Sequence, residues 1–317
     1  MNCLFYCQGD NGDMLDAFKA AFSTQQADLT IINANDSASV YDPASIDAAI
    51  VWQPPANFFH GLSNLSHVFA LAAGVDQLLS HPGLPKQATV IRLQDAGMAK
   101  QMEEYVLYGV IRAQRGFHEF DVAQRNAQWA HGRPVQTAIN THVGILGAGV
   151  LAQAVAQRLV LNGYKTSCWS RTKKDLPAGV ASAHGADALP DFVAQSHVLV
   201  CLLALTDQTR GIVNMSLMKH MPNGGFIINC ARGEHVVDVD LLNAIDEGLI
   251  SGAMLDVFHH EPLPENHPFW THPRILVTPH EAARSLVEES VAQTLHSITQ
   301  VLRDETPDGT VDRSLGY

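Results

Sequence analysis

Short apolar runs separated by helical stretches dominate the first third of the chain. Leu4-Phe5-Tyr6 reads as a strand, and Met14, Leu15, Phe18, Ala21 and Phe22 mark one face of a helix after it. Residues 29–32, 48–52, 67–71 and 89–91 are further β-rich runs. Strands alternating with helices in this way build βαβ units and a parallel sheet. From Met98 to about Ala127 the spacing turns helical, with Met102, Tyr105, Val106, Val110 and Ile111 on one face. After a polar stretch around 130–138 a second α/β series opens at Val143-Gly144-Ile145-Leu146. Its further strands are predicted at 166–169, 197–203, 226–229, 252–257 and 275–278, and a last helix runs from about Arg284 to Arg303. The pattern predicts two α/β domains with a boundary near 95–110. The second sheet is complete without the last helix, which is therefore expected to cross back to the first domain. No solenoid repeat or low-complexity segment interrupts the pattern.

The chain has 317 residues, of which 46% are hydrophobic and 16% charged, so sizeable packed cores are expected and global disorder is not. A net charge of −12 argues against a nucleic-acid surface, which needs a clustered basic face. It also requires an anionic substrate to find a locally positive pocket. The segment Met1-Asn2-Cys3-Leu4-Phe5-Tyr6-Cys7 lacks the basic start and apolar run of a signal peptide. No stretch has the length of a membrane span. Five cysteines at irregular spacing, three of them inside apolar runs, fit buried free thiols in a reducing cytoplasm. No Cys or His pairs have metal-ligand spacing, so no metal is expected.

Gly147-Ala148-Gly149-Val150-Leu151-Ala152 follows the strand that ends at Leu146 and precedes a helical run. This fits G-x-G-x-x-G/A in its required strand–turn–helix context. Gly147 allows the tight turn. Gly149 lets a pyrophosphate approach the backbone, where the helix N-terminus offers free N–H groups, and Ala152 still permits close helix–strand packing. Val150 and Leu151 belong to the same cofactor-binding turn.

NAD-specific folds carry an Asp or Glu about 20 residues after the glycines, at the tip of the next strand. Here that strand ends in Ser170-Arg171-Thr172-Lys173-Lys174. A carboxylate would repel a ribose 2′-phosphate, whereas Arg171 can pair with it through two hydrogen bonds. The expected cofactor is NADP(H), with NAD(H) bound at lower affinity.

Three more segments place polar groups just past strand ends, where open α/β sheets bind ligands. They are Asn229-Cys230-Ala231-Arg232-Gly233, Leu255-Asp256-Val257-Phe258 through Glu261, and Thr278-Pro279-His280. With Ala73-Gly74-Val75-Asp76, the glycine loop and Trp169-Ser170-Arg171-Thr172, these segments resemble the D-2-hydroxyacid dehydrogenase family over nearly the whole chain. Within it they look most like the glyoxylate/hydroxypyruvate reductases. The resemblance implies a Rossmann doubly wound parallel sheet at 101–283 and a flavodoxin-like α/β substrate domain from 1–100 plus 284–317, with a cleft between them. It also implies homodimerisation through the region near 100–140.

The resemblance further implies an Arg–Glu–His triad at Arg232, Glu261 and His280, and the chemistry suits each role. Hydride arriving at a carbonyl carbon leaves an oxygen that needs a proton. His280 is the general acid, since imidazole titrates near neutral pH. Glu261 orients it and favours its charged form. Arg232 binds carboxylate and carbonyl through its planar donors. Each has a bland alternative, because most of the sixteen histidines must be structural or surface groups. By the same resemblance Asp256 lies near the nicotinamide amide, its alternative being a strand-end cap. Cys230 and Ala231 with Asn229 form backbone walls beside the cofactor, Leu203 and Thr209 complete the cofactor set, and Met98 approaches the nicotinamide from the hinge.

Relatives commonly have Pro where this chain has Ala204 and Asp207, which bears on loop rigidity. Glu281 stands where a small or apolar residue is usual, and a solvent-facing position is the favoured reading. In the family the turn of Ala73, Gly74 and Val75 binds the substrate carboxylate; from the residues alone an ordinary strand-to-helix turn would be preferred. Trp52 is either an apolar wall favouring small substrates or a core residue. The sequence thus points to NADPH-dependent reduction of a small 2-oxo acid, glyoxylate or hydroxypyruvate, to the D hydroxy acid. The rivals are a nicotinamide-dinucleotide-binding sensor or corepressor on the same fold, and an NAD-linked dehydrogenase of a larger phosphorylated acid.

Overall fold

A computed structural model describes residues 1–25 and 29–317. The chain divides into two compact units, Met1–Gly97 with Ser285–Tyr317, and Met98–Arg284. The α/β architecture expected from the alternation of apolar runs is present in both.

The first unit contains β1 (Asn2–Cys7), α1 (Asp13–Gln25), β2 (Thr30–Asn33), β3 (Ala48–Trp52), β4 (His67–Ala70), α2 (Asp76–Leu79) and β5 (Thr89–Arg92). Its five strands are parallel in the order β2-β1-β3-β4-β5, which is the flavodoxin-like order. β3 and β4 are buried along nearly their full length and read as continuous apolar runs, as a sheet covered on both faces requires. The C-terminal helix Val287–Leu302 belongs to this unit. Its Val291, Leu295 and Ile298 recur at helical spacing and pack with Phe5, Phe18, Phe69 and Ile91.

The second unit opens with α3 (Met98–Arg115) and α4 (Phe117–Arg125). There follow β6 (His142–Leu146), α5 (Val150–Leu161), β7 (Lys165–Ser170), β8 (Val180–His184), α6 (Leu189–Ala194), β9 (Val198–Cys201), α7 (Met215–Met218), β10 (Gly225–Asn229), α8 (Asp238–Asp246), β11 (Ile250–Leu255) and β12 (Ile275–Val277). The strand order is β12-β11-β10-β9-β6-β7-β8, all parallel. The six positions from β8 to β11 reproduce the doubly wound dinucleotide order, whose topological switch point lies between β6 and β9.

Four details differ from the sequence reading. β8 was not anticipated: its Val-Ala-Ser-Ala-His pattern is half exposed at the sheet edge and carries almost no apolar signal. The strand expected at 197–203 ends at Cys201, because the chain leaves the sheet at the switch point. The helical pattern read from Met98 to about Ala127 folds as two helices separated at Gly116, whose φ of 66° is left-handed. Ile111 is 37% exposed. The buried stripe of α3 follows Met102, Val106 and Val110 at i, i+4, i+8, and the next residue turns roughly 100° away from it. The five cysteines are buried free thiols. Among the described residues no helix is long and apolar enough to cross a membrane.

Candidate active site

The glycine loop sits at the switch point. Gly147 has a φ of +126°, and a Cβ there would meet the Leu202 carbonyl oxygen at 2.7 Å, so only glycine fits. Gly149 caps α5, and a Cβ built on it meets nothing within 4 Å. That open space lies at the N-terminus of a twelve-residue helix, which suits a phosphate group. Ala152 is buried on α5, Val150 is 46% exposed, and Leu151 is half-buried.

The turn after β7 is exposed from Arg171 to Asp175. The Ser170 hydroxyl donates to the Thr172 carbonyl at 2.8 Å, and Arg171 Nη1 donates to Gln208 Oε1 at 3.2 Å. Gln208 lies on the loop after β9, which also carries Leu203 and Thr209, both half-buried. The Thr209 hydroxyl accepts the Thr206 N–H at 2.8 Å and donates to the Ala204 carbonyl at 2.8 Å. This side-chain bracket ties residues 204, 206 and 209 of the loop together.

β10 delivers Arg232. The Asn229 amide, 1% exposed, accepts the Ala231 N–H and donates to the Arg232 carbonyl at 2.8 Å, which folds the turn back on the strand. Arg232 Nη1 donates to the Ala231 carbonyl. Gly233 packs so tightly that a Cβ would lie 2.0 Å from the Phe258 carbonyl carbon. His235 is fully buried, with Nδ1 3.3 Å from the Arg232 nitrogen and Nε2 3.3 Å from the Ala204 oxygen. It ties the Arg232 turn to the loop after β9. Cys230 and Ala231 are buried beside them, and burial pushes the Cys230 thiol far up, so it is a packing group.

Glu261 and His280 meet directly: His280 Nδ1 lies 2.7 Å from Glu261 Oε2. The other carboxylate oxygen, Oε1, accepts the Phe258 N–H at 3.0 Å, so Glu261 is held at both ends. A carboxylate only accepts, which places the proton of this pair on Nδ1 and leaves Nε2 to exchange a proton elsewhere. The hydrogen bond to Glu261 raises the His280 pKa above its ordinary value, against the effect of burial and of the Arg232 charge. For Glu261, burial pushes upward but is outweighed by hydrogen bonds from His280 and Phe258 and by the charges of His280 and Arg232, so its pKa is lowered. Arg232 is thus electrostatically part of the same group.

His280 has a φ of 57°, unusual for a non-glycine residue. Asp256, 1% exposed at the end of β11, stabilises this turn. Its carbonyl accepts the His280 N–H at 2.8 Å. Its Oδ1 accepts the Glu281 N–H at 2.8 Å and the Thr278 hydroxyl at 2.6 Å, and its Oδ2 accepts the Ala282 N–H at 2.9 Å. Asp256 thus caps the strand end and the His280 turn through its carboxylate and carbonyl. Glu281 is exposed and pairs with Arg284, in line with the solvent-facing reading. The neighbouring histidines divert elsewhere: His259 and His267 lie beside Asp238, and His272 beside Asp246.

On the first unit, Trp52 ends β3 and is 37% exposed. β1 and β3 are where the strand order of this sheet reverses, the position at which such sheets bind ligands. After β4, Ala73 is half-buried, Gly74 exposed, and Val75 buried at the start of α2. Met98, first residue of α3, is 7% exposed.

The residues that sequence reasoning missed are Tyr105, Gln101, His235 and the Thr278 side chain. Gln101, Tyr105 and His235 carried no motif signal; Tyr105 read as helix core and His235 as one histidine among many.

Residues 107–282 match the family described as D-isomer specific 2-hydroxyacid dehydrogenase, NAD binding domain. A glyoxylate/hydroxypyruvate reductase A from Serratia proteamaculans is 43% identical over 281 residues, covering 87% of this chain and 89% of that protein. Two solved structures share the fold over the whole chain. One, a D-isomer specific 2-hydroxyacid dehydrogenase from Xanthobacter autotrophicus Py2 in complex with NADPH and MES, has a TM-score of 0.91 at 38% identity and covers 100% of this chain and 99% of that one. The other, an NADPH-dependent glyoxylate/hydroxypyruvate reductase from Sinorhizobium meliloti in complex with NADP and sulfate, has a TM-score of 0.89 at 31% identity with the same coverage. The chain belongs to the D-isomer specific 2-hydroxyacid dehydrogenase family.

Proposed function

We propose that this protein reduces small 2-oxo acids, glyoxylate to glycolate and hydroxypyruvate to D-glycerate, with NADPH. The observation that carries the reading is the 2.7 Å His280–Glu261 pair in the field of Arg232. The names and bound cofactors of the similar proteins support the substrate class and NADP(H).

The residues present fit the cofactor. The open side of Gly149 and the α5 N-terminus would take the pyrophosphate, with Gly147, Val150 and Leu151 shaping the turn. Ser170, Arg171, Thr172 and Lys173 would take the 2′-phosphate. Leu203, Thr209, Cys230, Ala231, Asp256 and Met98 would complete the site. Bound NADPH supplies the hydride. His280 gives the proton on Nε2 to the carbonyl oxygen and becomes neutral, while Glu261 holds Nδ1 and so fixes the ring. Arg232 pairs with the substrate carboxylate and polarises the carbonyl, offsetting the charge that grows on oxygen. Ala73, Gly74 and Val75 would offer backbone N–H groups to the carboxylate, and Trp52 would limit substrate size.

The domain roles follow: residues 1–100 with 284–317 act on the substrate side, and 101–283 bind the dinucleotide. We further propose a cytoplasmic homodimer through 100–140, supported by exposed Tyr108, Phe117, Phe120, Trp129, Val135 and Ile139. Sedimentation at monomer mass would contradict it.

The deciding experiment follows NADPH and NADH absorbance with glyoxylate, hydroxypyruvate, pyruvate and a bulky 2-oxo acid. Turnover is expected to be fastest with NADPH and the first two. Absence of oxidation with all four acids would overturn the reading in favour of a cofactor-binding sensor.

A further inference from the structure

The His280 turn is anchored from a second side, by α3. Tyr105 Oη lies 2.7 Å from the Thr278 hydroxyl, and that hydroxyl donates to Asp256 Oδ1 at 2.6 Å. The Thr278 proton is therefore spent on the carboxylate, and Tyr105 is the donor to Thr278. Burial pushes the Tyr105 phenol well up, so it keeps its proton. One helical turn earlier, Gln101 Nε2 donates to the Arg284 carbonyl at 2.8 Å, and Gln101 Oε1 accepts the Arg284 N–H at 3.2 Å. The i, i+4 spacing puts both side chains on one helix face. They hold the segment at 278 and at 284, on either side of His280.

We propose that Tyr105 is a positioning residue for His280: its hydroxyl, acting through Thr278 and Asp256, holds the 278–282 turn in the left-handed shape that keeps Nδ1 on Glu261. A phenylalanine would fill the same space in the α3 core, so the function resides in the hydroxyl. The proposal deepens the reading of His280 as general acid and rests on it. The charged or titratable groups acting on His280 are Glu261, Arg232 and Asp256. Those facing Tyr105 are Asp256, Cys230 and Tyr108, beside the hydroxyl of Thr278.

The experiment compares Tyr105→Phe, Thr278→Val, Thr278→Ser and the Tyr105→Phe/Thr278→Val double variant. Read out are kcat for glyoxylate reduction, NADPH affinity, and the NMR titration of the His280 ring in the enzyme without substrate. Tyr105→Phe is expected to lower kcat about 2- to 10-fold, the worth of one neutral hydrogen bond. NADPH affinity should stay within about twofold, and the His280 titration should move to lower pH as the Glu261 contact loosens. The double variant should match Thr278→Val alone, and Thr278→Ser should retain activity. A purely packing role would lower the melting temperature and leave the His280 titration where it is, which overturns the proposal. Additive effects in the double variant overturn it too. The His280 titration is independent of turnover. An unchanged titration in Tyr105→Phe therefore sinks the positioning role even where His280→Ala abolishes activity. Turnover surviving in His280→Ala instead sinks the acid role, and with it the catalytic sense of the proposal.

Discussion

Two turns past strand ends hold the residues proposed for cofactor selection and proton transfer, and they are built in different ways. The turn after β7 is exposed from Arg171 to Asp175, with the Ser170 hydroxyl on the Thr172 carbonyl and Arg171 on Gln208. The turn after β12 is fastened to Asp256 through its backbone N–H groups at 280, 281 and 282 and its hydroxyl at 278. Under the proposed function, selecting between two cofactors needs charge at the right end of the sheet, and the exposed Arg171 would supply it. Moving a proton needs one ring nitrogen in one place, and that requires a rigid frame. Substitutions in the two turns should therefore fail differently.

The largest effect is expected at the rigid turn. His280→Ala should reduce kcat by about 10²- to 10⁴-fold, the range for a lost general acid, with NADPH affinity kept. Stopped-flow single turnovers separate the two. Asp256→Ala orphans the Thr278 hydroxyl and two backbone N–H groups, each at about 1–3 kcal/mol if left buried. It should lower the melting temperature measurably as well as kcat; a stable, active variant would show that the turn needs no frame.

At the exposed turn, Arg171→Ala should weaken NADPH by about 10- to 100-fold, consistent with charge-assisted hydrogen bonds of about 1.5–3 kcal/mol. NADH affinity and the melting temperature should not change. Equal losses for both cofactors would erase the contrast between the turns.

The pH dependence sharpens the comparison further. As the proposed general acid His280 would have to carry its proton, so kcat for reduction should be level at low pH and fall as pH rises through the raised His280 value. Oxidation of the hydroxy acid should show the mirror profile. For stability, the His280 contribution is present below its unfolded pKa and lost as pH rises through its folded one. The Glu261 contribution is present above its unfolded pKa and lost as pH falls through its lowered folded one. Glu281→Ala should be the smallest change, within about 0.5 kcal/mol, because its partner Arg284 is also exposed.

Both parallel sheets were legible because buried parallel strands read as apolar runs of four to six residues. The edge strand β8 was not, since half its side chains face solvent. Gly147 was legible for a local reason: its φ excludes other residues, and the strand and helix beside it lie next to it in sequence. Arg232, Glu261 and His280 were marked by motif and Asp256 had a strand-end cap as one of its two readings, yet its partners and the tasks of Thr278 and Tyr105 were not legible. Their partners lie 22 to 173 positions away, and no local pattern encodes such pairings.

By itself, then, the sequence determined the two α/β series, the glycine turn, the basic strand tip and the candidate reacting side chains, because these depend on local periodicity, backbone freedom and residue chemistry. Only the tertiary structure decided which nitrogen of His280 faces Glu261, and that Asp256, Thr278 and Tyr105 are hydrogen-bonded in a chain behind the His280 turn. Those are distances between segments remote in the chain, and folding alone brings them within hydrogen-bonding reach.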